Sequence, residues 1–250
     1  MQEITSVNND LVKQVVKFQQ KKYRDLEDKF LLEGFKSIEE ACLAGVELNF
    51  VFVLSTKLQS YEFLPEEKII STNEAVLKKI STTDTPPDAV ALGVQKKYTM
   101  AEIKDAKKIV LLEDIKDLGN LGTILRSARA FDADAVVLFG DCAELYNPKC
   151  VRASVGNLWK IPVVYSKEVV ELEKYFSAHN KIATLPRANN FLKNVKFDLP
   201  FLVMFGSEAN GLSEKLIEFS TDSVKIEMVS EVESLNLSIS VAIVLYKLLV

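Results

Sequence analysis

A chain of 250 residues, 48% hydrophobic and 26% charged, has the make-up of a globular protein with room for one large domain or two modest ones, and disorder is not indicated. No stretch reaches the roughly 18 uncharged apolar residues that a membrane-spanning helix needs, and Met1-Gln2-Glu3-Ile4 lacks the basic start of a secretory leader, so a cytoplasmic protein with no membrane partner is expected. The formal net charge of −4 gives no general basic character, so any nucleic-acid partner would need a local basic face.

The first segment, about residues 9–22, has helical spacing, and Lys13, Lys17, Lys21, Lys22 and Arg24 recur along it as a candidate basic stripe. The same positions interleave with Asp25, Glu27 and Asp28, as on any solvated helix face. A strand at Phe30 to Leu32, a helix over 35–44 stopped by Gly45, strands at Phe50 to Leu54 and Lys68 to Ile70, a helix over 73–80 and a strand at Ala89 to Val94 follow. These elements predict a small α/β domain over residues 1–96, with a boundary in the polar stretch that follows.

From residue 107 to 250 six short apolar runs begin at Ile109, Ala135, Ile161, Lys181, Phe201 and Val224, most of them separated by helical patterns. Such alternation predicts an open, largely parallel sheet buried on both faces. The last helix, from Leu235, is expected to bury Leu235, Ile239, Ala242, Leu245 and Leu249. Cys42, Cys142 and Cys150 are an odd number with no C-x-x-C pair, which fits reduced, inert thiols, and no metal site is expected. The single histidine, His179, follows an expected helix end, where a surface or capping role is expected.

Ligands of open α/β sheets sit beyond the carboxyl ends of the strands, so the polar residues that follow each run carry the most information. Three segments stand out. In the first, Glu113 to Phe131, Asn120 can cap a helix that carries Arg126, itself readable as a surface cation. In the second, Phe205 to Leu212, Gly206 and Gly211 permit close backbone approach and Glu208 offers a carboxylate, although a plain strand-to-helix turn explains the glycines equally. In the third, Val232 to Ala242, Ser234, Asn236, Ser238 and Ser240 crowd a helix start where capping needs one of them. No G-x-G-x-x-G follows a strand and no G-x-x-x-x-G-K-[ST] is present, which removes the usual dinucleotide and nucleoside-triphosphate readings.

Taken together, Asn120-x-Gly122-x-x-x-Arg126, Gly206-x-Glu208-x-x-Gly211-Leu212 and Glu233-Ser234-Leu235-Asn236-x-Ser238-x-x-x-Ala242 resemble the three motifs of the SpoU family of RNA 2′-O-ribose methyltransferases, part of the SPOUT class. Asn147 to Gly156, followed by Ile161-Pro162-Val163, resembles the segment that joins the first two motifs. Glu33-Gly34 resembles a local token of the small substrate-binding domain often attached. Leu118 stands where the family usually has proline, Asp132 where it has glycine and Glu227 where it has proline.

The resemblance implies a trefoil-knotted parallel-sheet domain, a homodimer, and S-adenosylmethionine as methyl donor. It implies that Gly206, Ile226 and Leu235 hold the donor through backbone groups, with Thr184, Glu208 and Met228 lining the pocket. Arg126 is the residue implied to act on the ribose hydroxyl, with Asn120, Glu208, Ser234 and Asn236 beside it. Arg152 and the stripe Lys13, Lys17, Lys21 and Arg24 are expected phosphate contacts. Ribosomal RNA is expected over transfer RNA, because the small domain resembles that of the ribosomal branch. The rival is a non-catalytic RNA-binding or ribosome-assembly protein on the same fold.

Overall fold

The computed structural model describes every residue except Ser230, Glu233 and Val250, and so excludes Glu233 of the third motif. The described residues form two units: Met1–Lys96 with Leu145–Trp159, and Lys97–Glu144 with Lys160–Val250.

The first unit is built from β1 (Gln2–Ile4), α1 (Asp10–Lys17), α2 (Lys21–Glu27), β2 (Lys29–Glu33), α3 (Phe35–Leu43), β3 (Leu48–Leu54), β4 (Ile69–Thr72), α4 (Glu74–Ile80) and β5 (Ala89–Val94). The strands lie in the order β1-β4-β3-β5-β2, with β5 antiparallel to both of its neighbours and the remaining pairs parallel. Val12 and Val15 from α1, with Phe18 just after it, pack with Val76, Leu77 and Ile80 from α4 over Phe52 and Ile70, as an apolar stripe on each helix requires.

The helix expected over 9–22 is broken. α1 stops before Phe18, and α2 starts only at Lys21. Arg24 then turns inward, 1% exposed, and its Nη1 donates to the Phe18 carbonyl at 2.7 Å. A helix end leaves carbonyls without intrahelical donors, and a buried guanidinium must find acceptors, so each need answers the other. Arg24 is therefore a fold residue, and its expected place in the basic stripe is corrected.

The segment Leu145–Trp159, expected within the second domain, packs in the first unit. The Tyr146 and Trp159 rings lie 4.8 and 5.3 Å from that of Phe30. Between them runs α6 (Pro148–Ser154), capped by the Asn147 side chain, which accepts from Lys149 N; Pro148 occupies the first turn, where its missing N–H has no partner to lose. Gly156 follows α6 at φ +75, and a Cβ there would meet Glu40 Cβ at 2.5 Å.

The second unit comprises β6 (Lys108–Glu113), α5 (Leu118–Ala130), β7 (Ala135–Phe139), β8 (Val163–Ser166), α7 (Val169–Phe176), β9 (Asn180–Thr184), β10 (Asn190–Phe191), β11 (Phe201–Phe205), α8 (Glu214–Phe219), β12 (Asp222–Lys225) and α9 (Leu237–Leu249). Its sheet runs β10-β12-β9-β11-β6-β7-β8 with every pairing parallel. All six apolar runs became strands, with Ile109, Leu111, Val137, Phe139, Leu202 and Met204 in one core.

Asp117, not Asn120, caps α5, accepting from Asn120 N at 2.7 Å and leaving the Asn120 side chain free for other partners. Leu118 stands at the first helical position, where proline is favoured in general, and Asp132 takes φ +58, a conformation glycine adopts without strain. Both departures from the family pattern thus keep the local backbone.

α9 buries Leu237, Ser238, Val241, Val244 and Leu245, whereas Ile239 is 50% exposed. The helix begins two residues later than expected and is apolar on most sides; of the expected face Leu245 is buried, Leu235, Ala242 and Leu249 are half-buried, and Ile239 is misplaced. His179 is also corrected: it is 8% exposed and its Nε2 shares a hydrogen bond with the Ala106 carbonyl at 2.8 Å. Among the described residues no helix is long and apolar enough to cross a membrane.

Candidate active site

Because the sheet is parallel, the carboxyl ends of β9, β11 and β12 share one edge, and the loops leaving them bound a cleft of about 620 Å³. Thr184 closes β9, Gly206 and Glu208 follow β11, Ile226 and Met228 follow β12, and Ser234 and Leu235 precede α9; all seven line the cleft. Leu212, Val224, Leu237 and Val244 supply apolar wall.

Each loop is held in place. Thr184 Oγ1 donates to the Met204 carbonyl at 2.8 Å, tying β9 to β11. A Cβ on Gly206 would fall 1.9 Å from the Gly211 carbonyl carbon, so the loop can close on itself only with glycine there. Gly211, at φ +67, donates its N–H to the Ser207 carbonyl at 2.9 Å. At the far end of that loop the buried Glu113 carboxylate accepts from Ser213 N at 2.7 Å and from Ser213 Oγ at 2.6 Å. Sequence reading missed this positioning role of Glu113, although a carboxylate ending an apolar strand was a visible signal.

Three motif residues from distant parts of the chain form one hydrogen-bonded set, of which Glu208 lines the cleft. Asn120 Nδ2 donates to Glu208 Oε1 at 2.5 Å, and Asn120 Oδ1 accepts from Asn236 Nδ2 at 3.1 Å. Asn236 Oδ1 in turn accepts from Ser238 N and Ser238 Oγ at 2.9 and 2.6 Å, so one side chain both starts α9 and completes the chain of amides. Arg126 lies exposed on α5, where it neither lines the cleft nor joins the three, and among the described residues it has no acceptor.

The expected RNA contacts divide. Lys13, Lys17 and Lys21 are exposed, with Lys13 Nζ 3.0 Å from Asp10 Oδ1 and Lys17 Nζ 5.8 Å from the Tyr23 ring centroid. Arg152 instead donates through Nη1 to Glu33 Oε2 at 3.1 Å and to Thr82 Oγ1 at 2.6 Å, so its charge answers a buried carboxylate. Cys42, Cys142 and Cys150 form no disulfide with one another, and burial pushes the Cys142 thiol up to about 11. Among the described residues no group of three or more His, Cys, Asp or Glu side chains is placed to hold a metal.

Residues 107–246 match the SpoU rRNA Methylase family, and residues 9–91 match the MRM3-like substrate binding domain. An uncharacterised tRNA/rRNA methyltransferase of Synechocystis is 32% identical to the chain, covering 98% of it and 92% of the relative. The 23S rRNA (guanosine(2553)-2′-O)-methyltransferase RlmP of Bacillus subtilis is 27% identical, covering 99% of each. Among solved structures, an AdoMet-bound rRNA methyltransferase from Sinorhizobium meliloti superposes with TM-score 0.89 at 25% identity, covering 98% of the chain and 96% of its own. An RNA 2′-O ribose methyltransferase gives 0.84 at 32% identity, covering 98% and 97%. With the motifs, the parallel sheet and the cleft in agreement with these matches, the chain belongs to the SpoU rRNA methylase family.

Proposed function

We propose that this protein transfers a methyl group from S-adenosylmethionine to a ribose 2′-hydroxyl of RNA, ribosomal RNA in preference to transfer RNA. The observation that carries this reading is the hydrogen-bonded set Asn120, Glu208 and Asn236, joined through Glu208 to a cleft walled by Gly206, Ile226 and Leu235. The residues present fit the donor: apolar walls suit a flat adenine ring, and the glycine-closed loop brings backbone groups where a side chain would block them. Thr184 and Met228 complete that pocket.

Methyl transfer from sulfonium to oxygen is an in-line displacement, so the chain's task is to align donor and acceptor and to favour charge on the attacking oxygen. The bound donor supplies an electrophilic methyl group. Arg126 keeps its proton in a protein, so its role is to bind the target phosphate and stabilise the developing alkoxide, with Ser234 and the three hydrogen-bonded residues arranging the hydroxyl. Lys13, Lys17 and Lys21 of the first unit contact phosphates, and the match of residues 9–91 to a substrate-binding domain supports that unit as the element choosing the RNA.

The same reading makes the second unit a knotted domain and the protein a cytoplasmic homodimer. Ile239, Ile243 and Tyr246, an exposed apolar row along α9, support a self-association face. The test incubates the purified protein with methyl-labelled S-adenosylmethionine and separate pools of unmodified ribosomal and transfer RNA. Label on a 2′-O-methylnucleoside of the ribosomal pool is expected. Label on a base would overturn the ribose assignment, and donor binding without any label would favour a non-catalytic role.

A further inference from the structure

One wall of the cleft carries a charge that methyl transfer itself does not use. After β9 the chain turns through Leu185, Pro186, Arg187 and Ala188. Leu185 N donates to the Val224 carbonyl at 3.0 Å and Ala188 N to the Leu185 carbonyl at 3.1 Å, while Ala188 is buried. Proline at the second position of such a turn presets φ, so Arg187 at the third stands on a pinned backbone. Arg187 lines the cleft and is exposed, and among the described residues its guanidinium has no acceptor. The other cation on the cleft wall is differently placed: Lys225 Nζ sits 4.7 Å from the centroid of the Phe191 ring. Glu208 lines the same cleft with the opposite sign.

A guanidinium presents a planar fork that matches a carboxylate, and one held at a cleft without a partner is a preformed anion site. S-Adenosylmethionine carries a single anionic group, the carboxylate of its amino-acid end; its sulfonium and ammonium would be repelled by Arg187. We infer that Arg187 binds the carboxylate of the methyl donor. This inference rests on the proposed use of S-adenosylmethionine, and it assigns Arg187 to holding the cofactor's amino-acid end, away from the reacting atoms.

Titration calorimetry with two ligands tests it. S-Adenosylhomocysteine keeps the amino-acid end, and 5′-methylthioadenosine lacks it. Arg187→Ala is expected to weaken S-adenosylhomocysteine about tenfold to a hundredfold, the range for a lost charge-assisted hydrogen bond, while 5′-methylthioadenosine changes by less than about twofold. Arg187→Lys, a point charge without the fork, is expected to fall between the two. Equal weakening of both ligands would overturn the inference by making the effect one of cleft shape. Unchanged S-adenosylhomocysteine affinity with weakened RNA affinity would overturn it in favour of a phosphate contact. A wild-type protein that binds neither ligand would overturn the methyl-donor reading itself, and this inference with it.

Discussion

Glu33 in the first unit and Glu208 in the second are both carboxylates at or just after the end of a buried strand, and both accept hydrogen bonds from polar neighbours. The Glu33 side chain is 2% exposed and receives Thr82 N at 2.8 Å, Thr82 Oγ1 at 2.7 Å and Arg152 Nη1 at 3.1 Å. Glu208 is exposed, and among the described residues it receives one donor, Asn120 Nδ2, on Oε1. A buried charge must have its lone pairs answered, so the first cluster is committed to the fold. An exposed carboxylate that keeps an oxygen open beside a cleft is available to a ligand. Saturation, more than residue type, separates the cluster committed to the fold from the one open to a ligand.

The sharpest way to break this contrast is Glu33→Ala, which leaves Arg152 without its counter-charge. Urea unfolding is expected to show a loss of roughly 2–3 kcal/mol, below the cost of breaking a fully buried pair because the Arg152 side chain is a third exposed, with turnover per folded molecule retained. Next comes Arg126→Ala, expected to lower kcat by about 10²- to 10³-fold while calorimetric donor affinity holds, because the group acts on developing charge. Equal loss of both would remove Arg126 from that role. Glu208→Gln keeps an oxygen for Asn120 but removes the charge. Turnover should fall while stability changes by no more than about 0.5 kcal/mol, as for other exposed positions; a large stability loss would erase the distinction.

Replacing Lys13, Lys17 and Lys21 together by alanine should lower the salt slope of RNA binding by about one unit for each phosphate no longer neutralised, with the fold intact. An unchanged slope would move the RNA elsewhere. The smallest effect concerns a half-buried thiol. Burial raises Cys142 from 9.0 to about 11, so the stability its protonated form contributes is complete below about pH 9 and is lost as pH rises through about 11. Alkylation of the native protein should therefore show a midpoint near 11, and a midpoint near 9 would make the thiol open.

What the sequence made legible follows the same division. Asn120, Glu208 and Asn236 were marked by the resemblance of their segments to family motifs, segments that follow strands or open helices, where ligands of open parallel sheets sit. Arg24 could not be read, because its spacing matches the lysines while its burial depends on α1 stopping at Phe18. The exposed face of α9 was hidden for a related reason: a helix apolar all round has no period to read, and only its packing partners choose the buried side. Short β1 and β10, three and two residues long, leave too little pattern to detect. The α6 segment looked like any helix after a strand, and nothing local says which sheet it will cover.

That excursion also sets an order of events during synthesis. The sheet of the first unit is complete once Val94 has been made, yet Phe30 gets the rings of Tyr146 and Trp159 only some fifty to sixty-five residues later. A nascent chain leaving the ribosome therefore holds an unfinished first unit, one aromatic side still open, until β6, α5 and β7 have also emerged. A fragment ending at Lys96 would stay in that unfinished state permanently, and a protease cutting there would not free the unit from the rest of the chain.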